Sequence, residues 1–233
     1  MMDISVILTA HREGPLCGPA IHSMSAAIAD VREKLGKTCE IVVVLDRTNE
    51  ITRTTVSTGL TALDPGSVRI IETDEGDPGQ TRNRGIEIAA GLHATFLDGD
   101  HMWSANWLTQ AWKLIDKHPN TVAQSMYNVV FGEIRNLWWH VDSEGPLFDP
   151  RFLDWSNYWD AMSLARTDTY RRVPFKRNDI KLGFGHEDWH WSCATHALGI
   201  PHKPAPDTIH FKRRRRGSQM HLVDAAGCVV WPE

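Results

Sequence analysis

Cysteine is scarce. The chain has 233 residues and four cysteines, Cys17, Cys39, Cys193 and Cys228, with no Cys-x-x-Cys spacing among them. They read as reduced cytosolic thiols and not as a disulfide frame. Long apolar runs are also missing. The longest aliphatic stretch, Ile41 to Leu45, falls far short of the roughly 20 residues that cross a bilayer. No basic region followed by an apolar stretch opens the sequence, so no secretory leader is expected and the expected location is the cytoplasm. Neither an internal repeat nor a low-complexity linker is found.

What is there describes a globular chain. Hydrophobic residues make up 42% and charged residues 23%. Both lie near the average of folded domains, which excludes wholesale disorder and a membrane-embedded body. The length suits one domain, or one with an extension, and its core needs no disulfide or metal staple. The formal net charge of −4 hides an asymmetry, because Lys212 to Arg216 is an unbroken run of cations. An acidic body with one basic run points to a local anion site. Nucleic acid or an anionic membrane is the alternative partner for such a run, but no second basic patch supports it. Ten tryptophans is a high number, and all but Trp231 lie between Trp103 and Trp191.

Asp3 to Thr9 reads as a buried strand, and Gly18 to Leu35 as a helix with Ile21, Met24, Ile28, Val31 and Leu35 at helical spacing. Cys39 to Asp46 is apolar nearly throughout, as in a strand covered on both faces. Asn49 caps a helix to about Leu60, Ser67 to Glu72 is a third strand, and Pro78 to Ala90 is a helix with proline in its first turn. His93 to Leu97 is a fourth strand and Trp103 to Lys117 a helix. Four alternations predict a Rossmann-like, doubly wound, mostly parallel α/β sheet over residues 1–120. Residues 121–211 are less regular, with strands at Thr121 to Phe131, Tyr158 to Ala165 and Thr208 to Phe211, and a helix at His186 to Leu198.

In such sheets ligands sit beyond the carboxyl ends of the strands. There the chain places Thr9 to Glu13, Asp46 to Glu50, Thr73 to Gly79 and Asp98-Gly99-Asp100. Asp98 and Asp100 form either an ordinary acidic turn or a pair of oxygen ligands for Mg²⁺ or Mn²⁺ on a diphosphate. His186-Glu187-x-x-His190 matches the HExxH pattern of zinc hydrolases, with Glu187 as base. Trp189 and Trp191 either pack in the core or stack on a sugar ring.

Pro78-Gly79-Gln80-Thr81-Arg82-Asn83-Arg84-Gly85 precedes the strand that ends in Asp98-Gly99-Asp100, and His186-Glu187-Asp188-Trp189 opens a later helix. With Ile4 to Thr9 and Glu40 to Asp46, this order over roughly residues 3–211 resembles a family 2 glycosyltransferase of the GT-A fold. The resemblance implies an inverting transfer from a nucleotide-diphosphate sugar, UDP-sugar first, to an acceptor hydroxyl, with Mn²⁺ or Mg²⁺. It implies a nucleotide-sugar half (1–120), an acceptor half (121–211) and a basic flap (212–233). It gives Asp188 the role of general base, with Glu187 second. It puts Thr9, His11, Asp46 and Arg82 at the nucleotide, Asp98 and Asp100 at the metal with His210 joining them, Trp189 at a sugar ring, and Arg213 and Arg214 at the diphosphate. The usual Asp-Asp-Gly-Ser and Pro-x-Tyr-Asn are replaced by Asp46-Arg47-Thr48-Asn49 and Thr9-Ala10-His11-Arg12. Both segments touch the base and ribose, so the nucleotide stays unassigned. A binding module that has lost catalysis remains the non-enzymatic alternative.

Overall fold

The computed structural model describes residues 2–61, 63, 68–215 and 219–229. Four parallel strands form its first half: β1 (Met2–Ala10), β2 (Cys39–Asp46), β3 (Val68–Thr73) and β4 (Gly91–Asp98), in the order β3-β2-β1-β4. Three helices connect them, α1 (Cys17–Leu35), α2 (Glu50–Leu60) and α3 (Pro78–Ile88). The predicted cap is present, with Asn49 Oδ1 accepting from Thr52 N at 2.9 Å. Ser67, where the third strand was expected to begin, lies outside the described residues.

The unbroken apolar strands are explained by helices on both faces. Ile4, Val6 and Leu8 of β1 and Ile41, Val43 and Leu45 of β2 join one core with α1 and α2. The alternate residues Ile7, Val42 and Val44 join a second core with Phe96, Tyr170 and Trp191. A period of two sends neighbouring side chains to opposite faces, and each such aliphatic residue contributes about 1.5–3 kcal/mol by burial.

The sheet continues past β4 as a mixed structure, β4-β8-β6-β9-β5, with β7 paired to β6. In chain order these elements are β5 (Met102–Trp103), α4 (Trp107–Lys117), β6 (Val122–Gly132), β7 (Asn136–Trp139), β8 (Leu164–Arg166), α5 (Thr167–Arg172), α6 (Glu187–Ala197), β9 (His202–Arg214) and α7 (Gln219–Ala225). This is the expected α/β class, a GT-A-like arrangement. No helix among the described residues is long and apolar enough to cross a membrane.

Three expectations are corrected here. The helix expected from Trp103 starts at Trp107, because Met102 and Trp103 pair with Phe211 and His210. The strand expected over Tyr158 to Ala165 shrinks to Leu164–Arg166. Asn157 and Asp160 side chains take the backbone N–H groups of Trp159 and Met162 and turn the chain instead. The last strand, expected over Thr208 to Phe211, runs from His202 to Arg214. Arg216, the last cation of the basic run, lies outside the described residues.

Candidate active site

The strand order reverses at β1, which has β2 on one side and β4 on the other. Such a reversal opens a crevice at the carboxyl edge. Thr9, next to the last residue of β1, stands opposite Asp98 at the end of β4, and its Oγ1 donates to Asp98 Oδ1 at 2.9 Å. A cavity of about 440 Å³ opens there, walled by the strand ends, the first turns of α3 and α6, the basic end of β9, and α7.

The α3 segment explains its own sequence. Asp77 caps the helix by accepting from Gln80 N at 2.9 Å, and Pro78 follows where an N–H is not needed. Gly79 leaves room for a neighbour: a Cβ there would stand 2.9 Å from Glu187 Cγ and 3.0 Å from the Lys176 carbonyl. At Gly85 a Cβ would stand 2.5 Å from Ile7 Cγ2, so glycine lets the helix lie on β1. Asn83 clamps Phe175 through both backbone groups, donating to its carbonyl at 2.8 Å and accepting from its N–H at 3.0 Å.

Arg82 is 4% exposed and joins two elements. Its Nη2 donates to both oxygens of Asp98 at 3.0 Å, and its Nη1 to Glu187 Oε1 at 2.8 Å. Burial pushes the Asp98 carboxyl up, but the Arg82 guanidinium, with His101 and the Thr9 hydroxyl, outweighs it and holds the pKa at about 2. Glu187 responds the other way. Burial raises its pKa, Arg82 pulls it back, and the Asp188 charge adds to the rise. Asn178 Nδ2 donates to the remaining Glu187 oxygen at 2.9 Å. Both Glu187 and Asp188 line the cavity, but Glu187 is buried and held by α3, whereas its neighbour Asp188 is half-buried.

The zinc pattern does not assemble. HExxH needs both imidazoles on one helix face, but α6 begins at Glu187 and His186 precedes it in the left-handed region at φ 60°. His190 is buried and meets the edge of the Phe184 ring at 5.8 Å. Among the described residues no group of three or more His, Cys, Asp or Glu is placed to hold a metal ion.

The basic run meets the acidic turn. Arg215 Nε donates to Asp100 Oδ2 at 2.9 Å, and its Nη2 to Glu13 Oε1 at 3.1 Å. Burial raises the Glu13 pKa, although the His11 N–H it accepts from opposes this. Arg213 and Arg214 also line the cavity, with Arg213 Cζ lying 4.5 Å from the Phe131 ring centre. Lys212 turns inward to the buried Asp160 at 3.2 Å. His101 stands between the two aspartates, its Nδ1 3.5 Å from Asp98 Oδ2 and its Nε2 3.6 Å from Asp100 Oδ1. Burial lowers the His101 pKa against the pull of both carboxylates.

Other expected site residues stand elsewhere. His210 does not line the cavity. It packs between Trp103 and Trp107, with ring centres 6.2 and 4.5 Å away, and burial brings its pKa down to about 3. Trp189 ties α6 to the 150–154 turn by donating from Nε1 to the Leu153 carbonyl at 2.9 Å, and it is not in the cavity wall. Asp46 lines the cavity, but its carboxylate is saturated by Thr73 Oγ1, Glu75 N and Gly76 N at 2.9, 2.7 and 2.8 Å. His11 Nδ1 lies 2.6 Å from the Asp46 carbonyl and so carries its proton there. Sequence reasoning put the run Lys212 to Arg216 at the diphosphate, with Arg213 and Arg214 as its site residues, and gave no role to Glu13 or His101. The signal for His101 was its place directly after Asp100.

Together the switch-point crevice, the Asp-Gly-Asp turn and the Arg82-linked helix starts place one polar cavity at the carboxyl edge of a GT-A-like sheet. The profile of glycosyl transferase family 2 matches residues 5–183, and the chain belongs to that family. No curated protein matches the sequence. Among solved structures, the chain is similar to S. aureus TarS 1–349 in complex with UDP-GlcNAc. The TM-score is 0.69 at 20% identity, over 94% of this chain and 60% of that one. It is also similar to the mannosyltransferase PcManGT from Pyrobaculum calidifontis in complex with GDP-Man and Mn²⁺. There the TM-score is 0.65 at 16% identity, over 92% of this chain and 58% of that one. The chain thus spans about three fifths of the length of these relatives.

Proposed function

We propose that the chain moves a sugar from a nucleotide-diphosphate donor to an acceptor hydroxyl by a single inverting displacement. The observation that carries this is the meeting of Asp98, Asp100, Asp188 and the arginines of β9 on one cavity at the switch point. Its volume lies in the range of small-molecule sites. Asp188 takes the acceptor proton as the oxygen attacks the anomeric carbon. Glu187, held by Arg82 and Asn178, fixes the first turn of α6 so that Asp188 faces the cavity. Arg213, Arg214 and Arg215 bind and neutralise the diphosphate as it leaves. A UDP-sugar is the proposed donor, in line with the UDP-GlcNAc held by TarS. The cytoplasm is the proposed compartment, in line with four unpaired cysteines.

A divalent cation fits the donor set. Asp100 Oδ1 accepts no hydrogen bond among the described residues and borders the cavity, while Oδ2 is held by Arg215. Carboxylate oxygens suit Mg²⁺ and Mn²⁺, which take one or two protein ligands and complete their shell with phosphate and water. Asp100 is the residue that would hold the ion, with Asp98 fixed behind it by Arg82. When bound, the ion supplies charge that stabilises the departing diphosphate.

The test is Asp188→Asn, assayed for transfer from UDP-sugars with UDP affinity measured in parallel. We expect turnover to fall by roughly 10²-fold or more, the scale of a lost general base, with UDP affinity little changed. Full turnover in the variant would remove Asp188 from the mechanism.

A further inference from the structure

We propose that His101 is a ligand of the divalent cation beside Asp100, and that its imidazole biases the site toward Mn²⁺ over Mg²⁺. The inference rests on the transferase reading, since that reading puts a cation at Asp100. His101 lines the cavity and is only 8% exposed, yet among the described residues its buried Nδ1 has no hydrogen-bond partner. Its approaches to Asp98 and Asp100, 3.5 and 3.6 Å, are too long for one. A buried imidazole nitrogen without a partner, in a ring aimed between two carboxylates, calls for an explanation.

The two carboxylates are not equivalent. Asp98 is saturated by Arg82 and Thr9, so it is a fixed negative wall. Its Oδ2 faces His101 Nδ1, so a proton carried on Nδ1 would point at that wall and leave the Nε2 lone pair for the other side. A carboxylate behind an imidazole is the usual orienting device of metal-bound histidines. On that other side, Nε2 stands 3.6 Å from Asp100 Oδ1, the oxygen without a hydrogen bond. Two ligands each about 2.1 Å from one first-row ion lie about 3 Å apart across a right angle and farther apart at wider angles. The Nε2 to Oδ1 separation therefore suits two neighbouring ligands of one ion. Two protein ligands, with phosphate and water for the rest, need no ready-made group of three, and none is present among the described residues. Magnesium keeps to oxygen, whereas imidazole suits transition ions, so one nitrogen in this shell favours Mn²⁺.

The test reads the metal directly. Mn²⁺ is bound to the full chain in the presence of UDP and examined by electron spin-echo envelope modulation. We expect ¹⁴N modulation from a coordinated imidazole, lost in His101→Gln and retained in His11→Gln and His186→Gln, which alter the other cavity histidines. Manganese affinity, read from the free-ion signal, should fall tenfold or more in His101→Gln, with Mg²⁺ affinity changed less than threefold. The wild-type spectrum alone decides the matter if the variant does not fold. Bound Mn²⁺ without imidazole modulation overturns His101 as a ligand and leaves the cation at Asp100. If UDP binds and no Mn²⁺ joins it, this inference and the proposed cation fail together.

Discussion

Replacing Arg82 with methionine removes the cation paired with Glu187 among the described residues and the one hydrogen-bonded to Asp98. A buried charge left without its partner costs about 3–5 kcal/mol, and Arg82→Met is expected to lose that much in denaturant melts. Arg82→Lys should fall between, because one ammonium cannot replace the guanidinium fork that reaches both carboxylates. A loss under about 1 kcal/mol for methionine would mean that the three groups are not coupled. The same contact sets a pH dependence. Asp98 has its pKa lowered from 3.8 to about 2 in the fold. Its contribution is present above the unfolded value and is lost as pH falls through the folded one, a swing of about 2 kcal/mol. Gly79→Ala tests the crowding beside it, where the new Cβ meets Glu187 Cγ and the Lys176 carbonyl. We expect a cost of about 1–3 kcal/mol, with turnover falling because Glu187 and the turn of α6 must shift. Asp98, Asp100 and Asp188 were legible at this scale, since each stands in a short motif at the end of a strand or the start of a helix. The saturation of Asp46 was not. It depends on backbone groups of Glu75 and Gly76 that reach Asp46 only once β2 and β3 pair.

At the scale of elements, β9 changes what the basic run means. Five adjacent cations on a sequence read as a loose flap. In the fold, Lys212, Arg213 and Arg214 are paired in register with Val130, Phe131 and Gly132 of β6. Lys212 is 6% exposed and faces Asp160, whose Oδ2 also accepts from Asn128 at 2.8 Å. Trypsin needs an extended, accessible chain, so native protein should resist cleavage after Lys212 and Arg213. Early cutting after Lys212 would return that residue to a flap. Lys212→Met should cost about 3 kcal/mol or more by stranding Asp160. The four parallel strands were legible because their apolar runs are local and both faces are covered. The second half was less so because its pairings are set over long range. Trp103 belongs to a strand only because His210 is there to receive it, and β7 exists only as a partner of β6. The aromatic load of this half has a plain use, since Tyr170, Phe175 and Trp191 stack together over the second core.

For the molecule as a whole, histidines in the interior set the response to acid. His93, His202 and His210 lie on strands β4 and β9, and burial lowers the pKa of each. His93 falls from 6.5 to about 4 and His210 to about 3, while His202 falls well below the ordinary value. His202 is fixed by Thr195 Oγ1 at 2.8 Å and Gln124 Nε2 at 3.3 Å, and His210 by tryptophan rings on two sides. The unfolded chain takes up these protons as pH drops through about 6.5, and the fold refuses them until much lower. Stability is therefore full above that value and declines as pH falls below it, earlier than carboxylates alone would dictate. Each histidine contributes a slope of about 1.4 kcal/mol per pH unit, so three give roughly 4. Urea melts between about pH 7 and about pH 5 should show the midpoint falling steeply. His210→Phe keeps a ring between Trp103 and Trp107 and removes one of the three protons, so its slope should be shallower by about a third. A midpoint that stays level over this range in the wild type would mean that these imidazoles are protonated inside the fold. The two-faced packing around β4 and β9 would then have to accommodate charge.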